Sequence, residues 1–367
     1  MPAPAAGSDR PIFIVGANGT GSTLLRLMLD SHERITIPGE TGFLRLALAH
    51  TWVPFWPLGG QWHTNLGLSD DALMAALADF YGGLFSSYAE SHGKQRWGDK
   101  TPFHVWHLEL ARRMFPDCQV VGIVRHPGAV ISSQRRRFRR TYAQACRSWI
   151  RSTSQLMFEA MDLGDQCVVL RYEDLVAEPE KVSRALLDWL GEPWSDAVLG
   201  HHKVQSRSGG PAHAEGFTDV ARPIDTAQVS EWEGYLRGAE RQQVLAPTRA
   251  VATFFGYACE RTLPLGEFGT AGSPLMTGTA LRERRTTHGA GIDWNDRPEP
   301  GFADRQMRPP LPRRPRQPPS LDDVTIRALL QHRVAQTGHR LPDGIRGRAN
   351  DVRRKAGWLD RLLGPRT

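Results

Sequence analysis

No segment of the sequence approaches the ~20 consecutive apolar residues that a membrane span requires. A secretory leader is not expected either, because the first ten residues are small and polar and the apolar run after them is broken at Gly16-Ala17-Asn18-Gly19. Cysteine is scarce: Cys118, Cys146, Cys167 and Cys259 form no C-x-x-C pair, which argues against a disulfide framework or a thiolate metal knuckle. Reduced thiols in a cytoplasmic protein are the expectation. Histidines with ligand spacing are lacking as well; His201-His202 stand side by side without supporting partners, so no metal is expected. Internal repeats are absent. Acidic residues fall short of basic ones, 39 against 46, for a net charge of +7. That balance suits an anionic ligand. Yet the basic clusters, Arg135–Arg140 and the stretch from about Arg282 onward, have neither the interleaved aromatics of an RNA-binding sheet nor a recognisable helix-turn-helix or zinc finger, so nucleic acid is not an expected partner.

What the chain does have is concentrated near its start. Pro11-Ile-Phe-Ile-Val15 is a short apolar strand, Gly16-Ala-Asn-Gly-Thr-Gly21 a glycine-rich turn, and Ser22 to Arg34 opens as an amphipathic helix. Such a turn aims successive backbone N–H groups at one point, at the positive end of a helix dipole, and that point suits a phosphate. Gly16-x-x-x-x-Gly21-Ser22-Thr23 has P-loop spacing, but Ser22 stands where the lysine that reaches the β/γ-phosphates would be. A nucleoside triphosphatase is therefore disfavoured. A ligand with one 5′-phosphate and a second anionic group elsewhere fits better. The bland alternative is a turn that merely packs helix on strand.

A chain of 367 residues is long enough for a full core, as one large domain with extras or as two domains. The runs Ile12–Val15, Val120–Val124 and Cys167–Leu170 are continuously apolar, as in strands buried on both faces of a parallel sheet, and Ile35–Ile37 reads as a short further strand. Helical patterns cover Asp70–Ser91 behind the cap Ser69, Val105–Phe115, Tyr142–Leu163 ending at Gly164, and Pro179–Leu190 ending at Gly191. The alternation predicts an α/β fold: a doubly wound parallel sheet with a P-loop-like turn, helices on both faces and a proline-rich C-terminal extension. The expected organisation is a nucleotide-binding domain over 1–262, a Pro/Arg-rich linker over 263–319 and a short helical segment over 320–367, with helical patterns at Leu321–Thr337 and Arg346–Leu363.

Four further segments fall at the carboxyl ends of strands or just beyond them, where open α/β sheets bind ligands: Pro38-Gly-Glu40-Thr-Gly-Phe43, Trp97-Gly-Asp99-Lys100-Thr-Pro102, Val124-Arg125-His126-Pro127 with Ser132-Ser133 on the helix after it, and Arg171-Tyr172-Glu173-Asp174. Singly each has an ordinary explanation. Glu40 can be a surface carboxylate, Lys100 a surface cation, and Arg125 a partner of Asp174. Together they supply a phosphate loop, two cations, a hydroxyl, an aromatic ring and a carboxylate, a set that suits a nucleotide with two separated anionic ends.

Over Pro11 to Tyr257 these motifs, with Gly98-Asp-Lys-Thr-Pro102, Phe115-Pro-Asp-Cys-Gln-Val-Val-Gly-Ile-Val-Arg-His-Pro127 and Leu170-Arg-Tyr-Glu-Asp-Leu175, resemble the sulfotransferases that use 3′-phosphoadenosine 5′-phosphosulfate (PAPS). The likeness is to the bacterial type related to tyrosylprotein sulfotransferases. It implies that Asn18, Gly19, Thr20, Gly21, Ser22 and Thr23 hold the 5′-phosphosulfate and that Arg125 and Ser133 grip the 3′-phosphate. It implies further that Tyr172 lies beside the adenine, Lys100 near the phosphosulfate, and that Glu40 is the base for the acceptor hydroxyl. Arg222, before Pro223-Ile224, matches an arginine on a loop that closes over the nucleotide. PAPS is then the co-substrate, and no metal is required. Two departures stand out. Gly19 occupies a position that usually carries Arg or Lys, a cation that would stabilise the leaving oxygen, with Lys100 or Arg26 as substitutes unless Arg26 faces the helix exterior. His126-Pro127-Gly128 replaces an Asp-Pro-Arg, and His126 reads as structural.

The preferred expectation is a sulfotransferase acting on a hydroxyl. The alternatives are a catalytically weakened nucleotide-binding relative and, below that, a P-loop small-molecule kinase. The acceptor is open, a small molecule or a lipid. Trp52, Phe55, Trp56 and Trp62 cluster soon after Glu40, either as an apolar acceptor wall or as a satellite hydrophobic cluster. Val352, Leu359 and Leu363 share one side of a basic amphipathic helix, which can dock on protein or touch an anionic membrane surface weakly. The sequence leaves the oligomeric state open.

Overall fold

The computed structural model describes residues 10–51, 59–203, 223–258, 268–269 and 272–298. The chain divides into two compact units, Met1–Ala303 and Asp304–Thr367. The second unit, with both expected C-terminal helices, lies outside the described residues, as do Arg222, Cys259 and most of the tryptophan-rich loop.

The strands are β1 (Ile12–Gly16), β2 (Ile35–Thr36), β3 (Arg96–Lys100), β4 (Gln119–Val124), β5 (Cys167–Arg171) and β6 (Met276–Thr277). They form one six-stranded sheet in the order β2-β3-β1-β4-β5-β6. The first five are parallel, and β6 runs antiparallel along β5. From β1 the chain goes out to β2 at the edge, returns to β3 beside β1, and then crosses to β4 and β5 on the other side, so the switch point falls between β1 and β4.

The helices are α1 (Ser22–Asp30), α2 (Phe43–His50), α3 (Asp70–Ser91), α4 (Leu108–Met114), α5 (Pro127–Phe138), α6 (Tyr142–Leu163), α7 (Tyr172–Ala177), α8 (Pro179–Leu190), α9 (Ala227–Ser230), α10 (Trp232–Tyr235), α11 (Gly238–Phe254) and α12 (Gly278–His288). Side chains alternate along β1, and two cores result. Ile12 and Ile14 face one with α1, α7 and α8. Phe13 and Val15 face the other with α2 to α6, α11 and α12. Full burial of each such side chain contributes about 1.5–3 kcal/mol.

Three elements depart from the sequence expectation. Strand β3 is Arg-Trp-Gly-Asp-Lys, entirely buried, yet three of its five residues are ionisable and hide the strand from an apolar count. Arg96 is accommodated by Glu192 (3.1 Å), Gln119 and the carbonyls of Arg10 (2.8 Å) and Leu190 (2.8 Å). The helix expected over Val105–Phe115 is a 3-10 turn (Pro102–Trp106) followed by α4. The linker expected over 263–319 is corrected for 276–298: β6 extends the sheet and α12, capped by Thr277, docks on α6 through buried Leu281. Gly278 makes that approach possible, since a Cβ there would run into the Ala160 carbonyl. The proline-rich run 307–319 lies outside the described residues.

No helix among the described residues is long and apolar enough to cross a membrane. Cys118, Cys146 and Cys167 are free and buried, and burial pushes the Cys118 thiol up to about 12.

Candidate functional site

A cleft of about 260 Å3 opens where the carboxyl ends of β1 and β4 diverge. Asn18, Gly19, Gly21, Ser22, Thr23, Glu40, Arg125, Ser133 and Tyr172 all line it. Residues scattered over more than 150 positions of sequence thus converge on one concavity. Lys100 stands directly behind Glu40. Arg222 is outside the described residues, but its neighbours Pro223 and Ile224 line the cleft.

The turn after β1 delivers the cleft's floor. Gly21 caps α1 with φ 93° and ψ 11°, and a Cβ there would overlap the Tyr172 ring. Glycine is therefore required twice over at that position, by backbone and by space. The first-turn amides of α1 have no carbonyl one turn back and face outward at the dipole's positive end. Thr20 is placed differently from its neighbours in the turn. It is buried, it does not line the cleft, and its hydroxyl and amide both turn back to the Ala17 carbonyl (2.9 and 3.3 Å). Gly19 holds φ 97°, so a side chain there would be strained by the backbone, while its Cβ would meet Ser133 Oγ only in ordinary contact at 3.4 Å.

Arg125 leaves the end of β4 with its guanidinium 4.0 Å above the Tyr172 ring centroid. Its Nη1 donates to the Gly19 carbonyl (3.4 Å) and its Nη2 to the Gln228 carbonyl (2.9 Å), while Nε is buried without a partner. Asp174 does not pair with it; both Asp174 oxygens are taken by Arg171 at 2.7 and 2.8 Å. Ser133, two turns along α5, faces the same cleft. The Arg125 cation, the Ser133 hydroxyl and the outward-facing α1 amides thus share one cleft, a set that suits an oxyanion.

On the opposite wall Lys100 Nζ, at the end of β3, bonds Glu40 Oε1 and lies 3.3 Å from Thr23 Oγ1. The Lys100 side chain is 4% exposed and the Glu40 side chain 44%. Burial lowers the Lys100 pKa, opposed by the charge of Glu40. The segment carrying Glu40 is held by its neighbours. Thr41 Oγ1 donates to Asp99 Oδ2 (2.6 Å), and Gly42 N donates to Thr101 Oγ1 (3.2 Å). Arg26 is neither on the helix exterior nor in the cleft. It is buried and donates to the Ile37 carbonyl (3.0 Å), tying α1 to the strand that leads to Glu40, and burial lowers its pKa.

His126 is structural in its contacts. Its Nδ1 accepts from Gly128 N (3.1 Å) to cap α5, and its Nε2 faces the Ala258 carbonyl (3.3 Å). Its ring stacks on Trp232 at 4.3 Å. Burial pulls its pKa down to about 4.

Sequence reasoning missed Arg137, Phe138, Asp225 and Gln228, all of which line the cleft. Arg137 had a detectable signal, since it lies one helical turn beyond Ser133. Gln228 had none. It sits on the four-residue helix α9 and reaches the site because the Tyr172 hydroxyl meets its Oε1 (3.3 Å) and Arg125 its carbonyl. The tryptophan loop is described only at Trp62, whose indole donates to the His50 carbonyl (2.6 Å). Among the described residues no group of three or more His, Cys, Asp or Glu side chains is arranged to hold a metal ion.

The profile of the Sulfotransferase family matches residues 11–196. Protein-tyrosine sulfotransferase 1 of Danio rerio is 30% identical over 240 residues, 62% of this chain and 66% of that protein. Protein-tyrosine sulfotransferase 2 of Gallus gallus is 28% identical over 263 residues, 67% of this chain and 70% of that protein. The chain thus spans about two thirds of the length of these relatives. Among solved structures, the sulfotransferase domain from the curacin biosynthetic pathway shares the fold, with a TM-score of 0.50 at 22% identity over 68% of this chain and 98% of that domain. On the family match over half its length, the chain belongs to the PAPS-dependent sulfotransferase family.

Proposed function

We propose that the protein transfers the sulfuryl group of PAPS to the hydroxyl of an acceptor by in-line displacement. The carrying observation is that one cleft joins a phosphate-type turn, the Arg125–Ser133 pair, an aromatic platform at Tyr172 and a carboxylate at Glu40. In this reading the α1 amides with Ser22 and Thr23 hold the 5′-phosphosulfate, and Arg125 and Ser133 hold the 3′-phosphate. Tyr172 packs on the base. Arg222 closes from the loop before Pro223. The acceptor oxygen attacks sulfur, the bond from sulfur to the bridging oxygen breaks, Glu40 takes the hydroxyl proton, and 3′,5′-ADP leaves. Lys100, between Glu40 and Thr23, meets the negative charge that grows on the bridging oxygen. Positioning supplies much of the rate, because no covalent intermediate is needed.

The relatives named above act, by their names, on protein tyrosine. For this chain the acceptor is proposed only as a hydroxyl, of a small molecule or a lipid. Buried reduced thiols support a cytoplasmic placement. Residues 1–262 are proposed as the catalytic body, extended by 276–298. The weak membrane contact proposed for the basic 346–363 segment is tested by vesicle co-sedimentation at low salt.

A second reading, binding without turnover, is favoured by Gly19, which leaves the turn without its usual cation. Incubation with radiolabelled PAPS and cell extract separates the two. A labelled product supports transfer, and tight 3′,5′-ADP binding without any labelled product supports the second reading. Titration with 3′,5′-ADP and ATP tests both, since preference for ATP would revive the kinase that Ser22 disfavours.

A further inference from the structure

The peptide unit between Arg125 and His126 is gripped at both ends. Its carbonyl, that of Arg125, accepts from the indole Nε1 of fully buried Trp149 (3.1 Å). Its N–H, that of His126, donates to Glu173 Oε1 (3.0 Å). The second Glu173 oxygen accepts from the Tyr257 hydroxyl (2.7 Å), and both residues are buried. Glu173 follows β5, Trp149 lies on α6, and Tyr257 follows α11, so three elements converge on one peptide plane.

The consequence falls on Arg125. Its guanidinium contacts two backbone carbonyls, and among the described residues no carboxylate forms an ion pair with it. The Tyr172 ring and these two carbonyls hold the head of the side chain, and the gripped peptide holds the backbone from which it leaves. The unit is planar, so holding both its carbonyl and its N–H holds the whole plane and restrains rotation about the bonds on either side of it, ψ of Arg125 and φ of His126. Two of the three grips, Trp149 and Glu173, lie within the family-matched residues, and the third, Tyr257, lies beyond them. We infer that Glu173, with Trp149 and Tyr257, is a positioning residue that orients Arg125 toward the 3′-phosphate. The inference rests on the reading that Arg125 binds that phosphate.

A purely structural buried knot would affect all ligands alike, whereas a positioning role affects only the 3′-phosphate. The full chain and its variants are titrated with 3′,5′-ADP and with 5′-AMP, and their melting temperatures are recorded. Glu173→Leu should cut the preference for 3′,5′-ADP by about three- to tenfold, the worth of a weakened hydrogen-bond set, with 5′-AMP affinity unchanged. Glu173→Gln keeps an acceptor for His126 N–H and should restore most of the preference. Where Glu173→Leu does not fold, Trp149→Phe removes the opposite grip and should give the same loss. Equal weakening of both nucleotides, or an unchanged preference in the variants, overturns the positioning role while leaving Arg125 in place. A parent chain that binds both nucleotides equally overturns the Arg125 reading and this inference with it.

Discussion

Around Arg125, polar atoms are tied to elements far apart in sequence: Gly19 after β1, Trp149 on α6, Glu173 after β5, and Gln228 on α9. Around Glu40 the holding is sparser. One buried lysine contacts the carboxylate, Thr41 and Gly42 anchor the backbone beside it, and the Glu40 side chain stays 44% exposed. The first half of the cleft is built to be rigid before a ligand arrives, which lowers the ordering cost of binding. The second half keeps its carboxylate open to a hydroxyl that must come and go. Changes in the first half should therefore appear in affinity and changes in the second in turnover.

The sharpest way to break that contrast is at Glu40. Glu40→Gln keeps size and hydrogen bonding but removes the base. Turnover should fall by roughly two to four orders of magnitude while 3′,5′-ADP affinity is unchanged. Single-turnover rates with titration on the same preparation check both. Parental turnover in the variant would assign the proton elsewhere, and lost affinity would erase the distinction between the halves.

Arg125→Ala tests the other side. A charged hydrogen bond contributes about 1.5–3 kcal/mol, so the dissociation constant for 3′,5′-ADP should rise tenfold or more, with turnover at saturating donor much less affected. Unchanged binding would remove Arg125 from the nucleotide site.

Gly19→Arg asks whether the turn can carry the cation that it lacks. At φ 97° a side chain costs about 1–3 kcal/mol of backbone strain, so 3′,5′-ADP binding should weaken severalfold or more with no gain in turnover. Raised turnover at intact affinity would show that the turn relaxes and that the cation was the missing part.

The same contrast explains what the sequence disclosed. β1, β4 and β5 are continuous apolar runs, so both the switch point and the turn beside it were readable, as were Arg125 and Tyr172 at strand ends. β3 was not, because Arg96, Asp99 and Lys100 are buried against partners that lie elsewhere in the chain. That Thr20 turns inward to the Ala17 carbonyl was not readable, because spacing alone does not say which residue of a turn faces inward. Gln228 and the α12 region were missed for a related reason: α9 is four residues long, β6 is two, and their roles come from contacts with Arg125, Tyr172 and β5 rather than from local pattern.

The smallest expected effect sharpens the comparison most finely. Ser133→Ala removes one neutral hydroxyl from the cleft, worth about 0.5–1.5 kcal/mol, so 3′,5′-ADP affinity should fall about two- to tenfold. Alanine suits the interior of α5 at least as well as serine, so the melting temperature should hold and the loss can be read as contact with ligand. 5′-AMP supplies the control, because a hydroxyl that meets only the 3′-phosphate leaves its affinity unchanged. The Arg125→Ala, Ser133→Ala double variant then asks whether both groups serve the same phosphate. Two groups gripping one ligand group are coupled, so the double variant should lose less than the sum of the single losses. Strict additivity would place Ser133 at a different part of the nucleotide from Arg125, and the rigid half of the cleft would then hold two separate subsites.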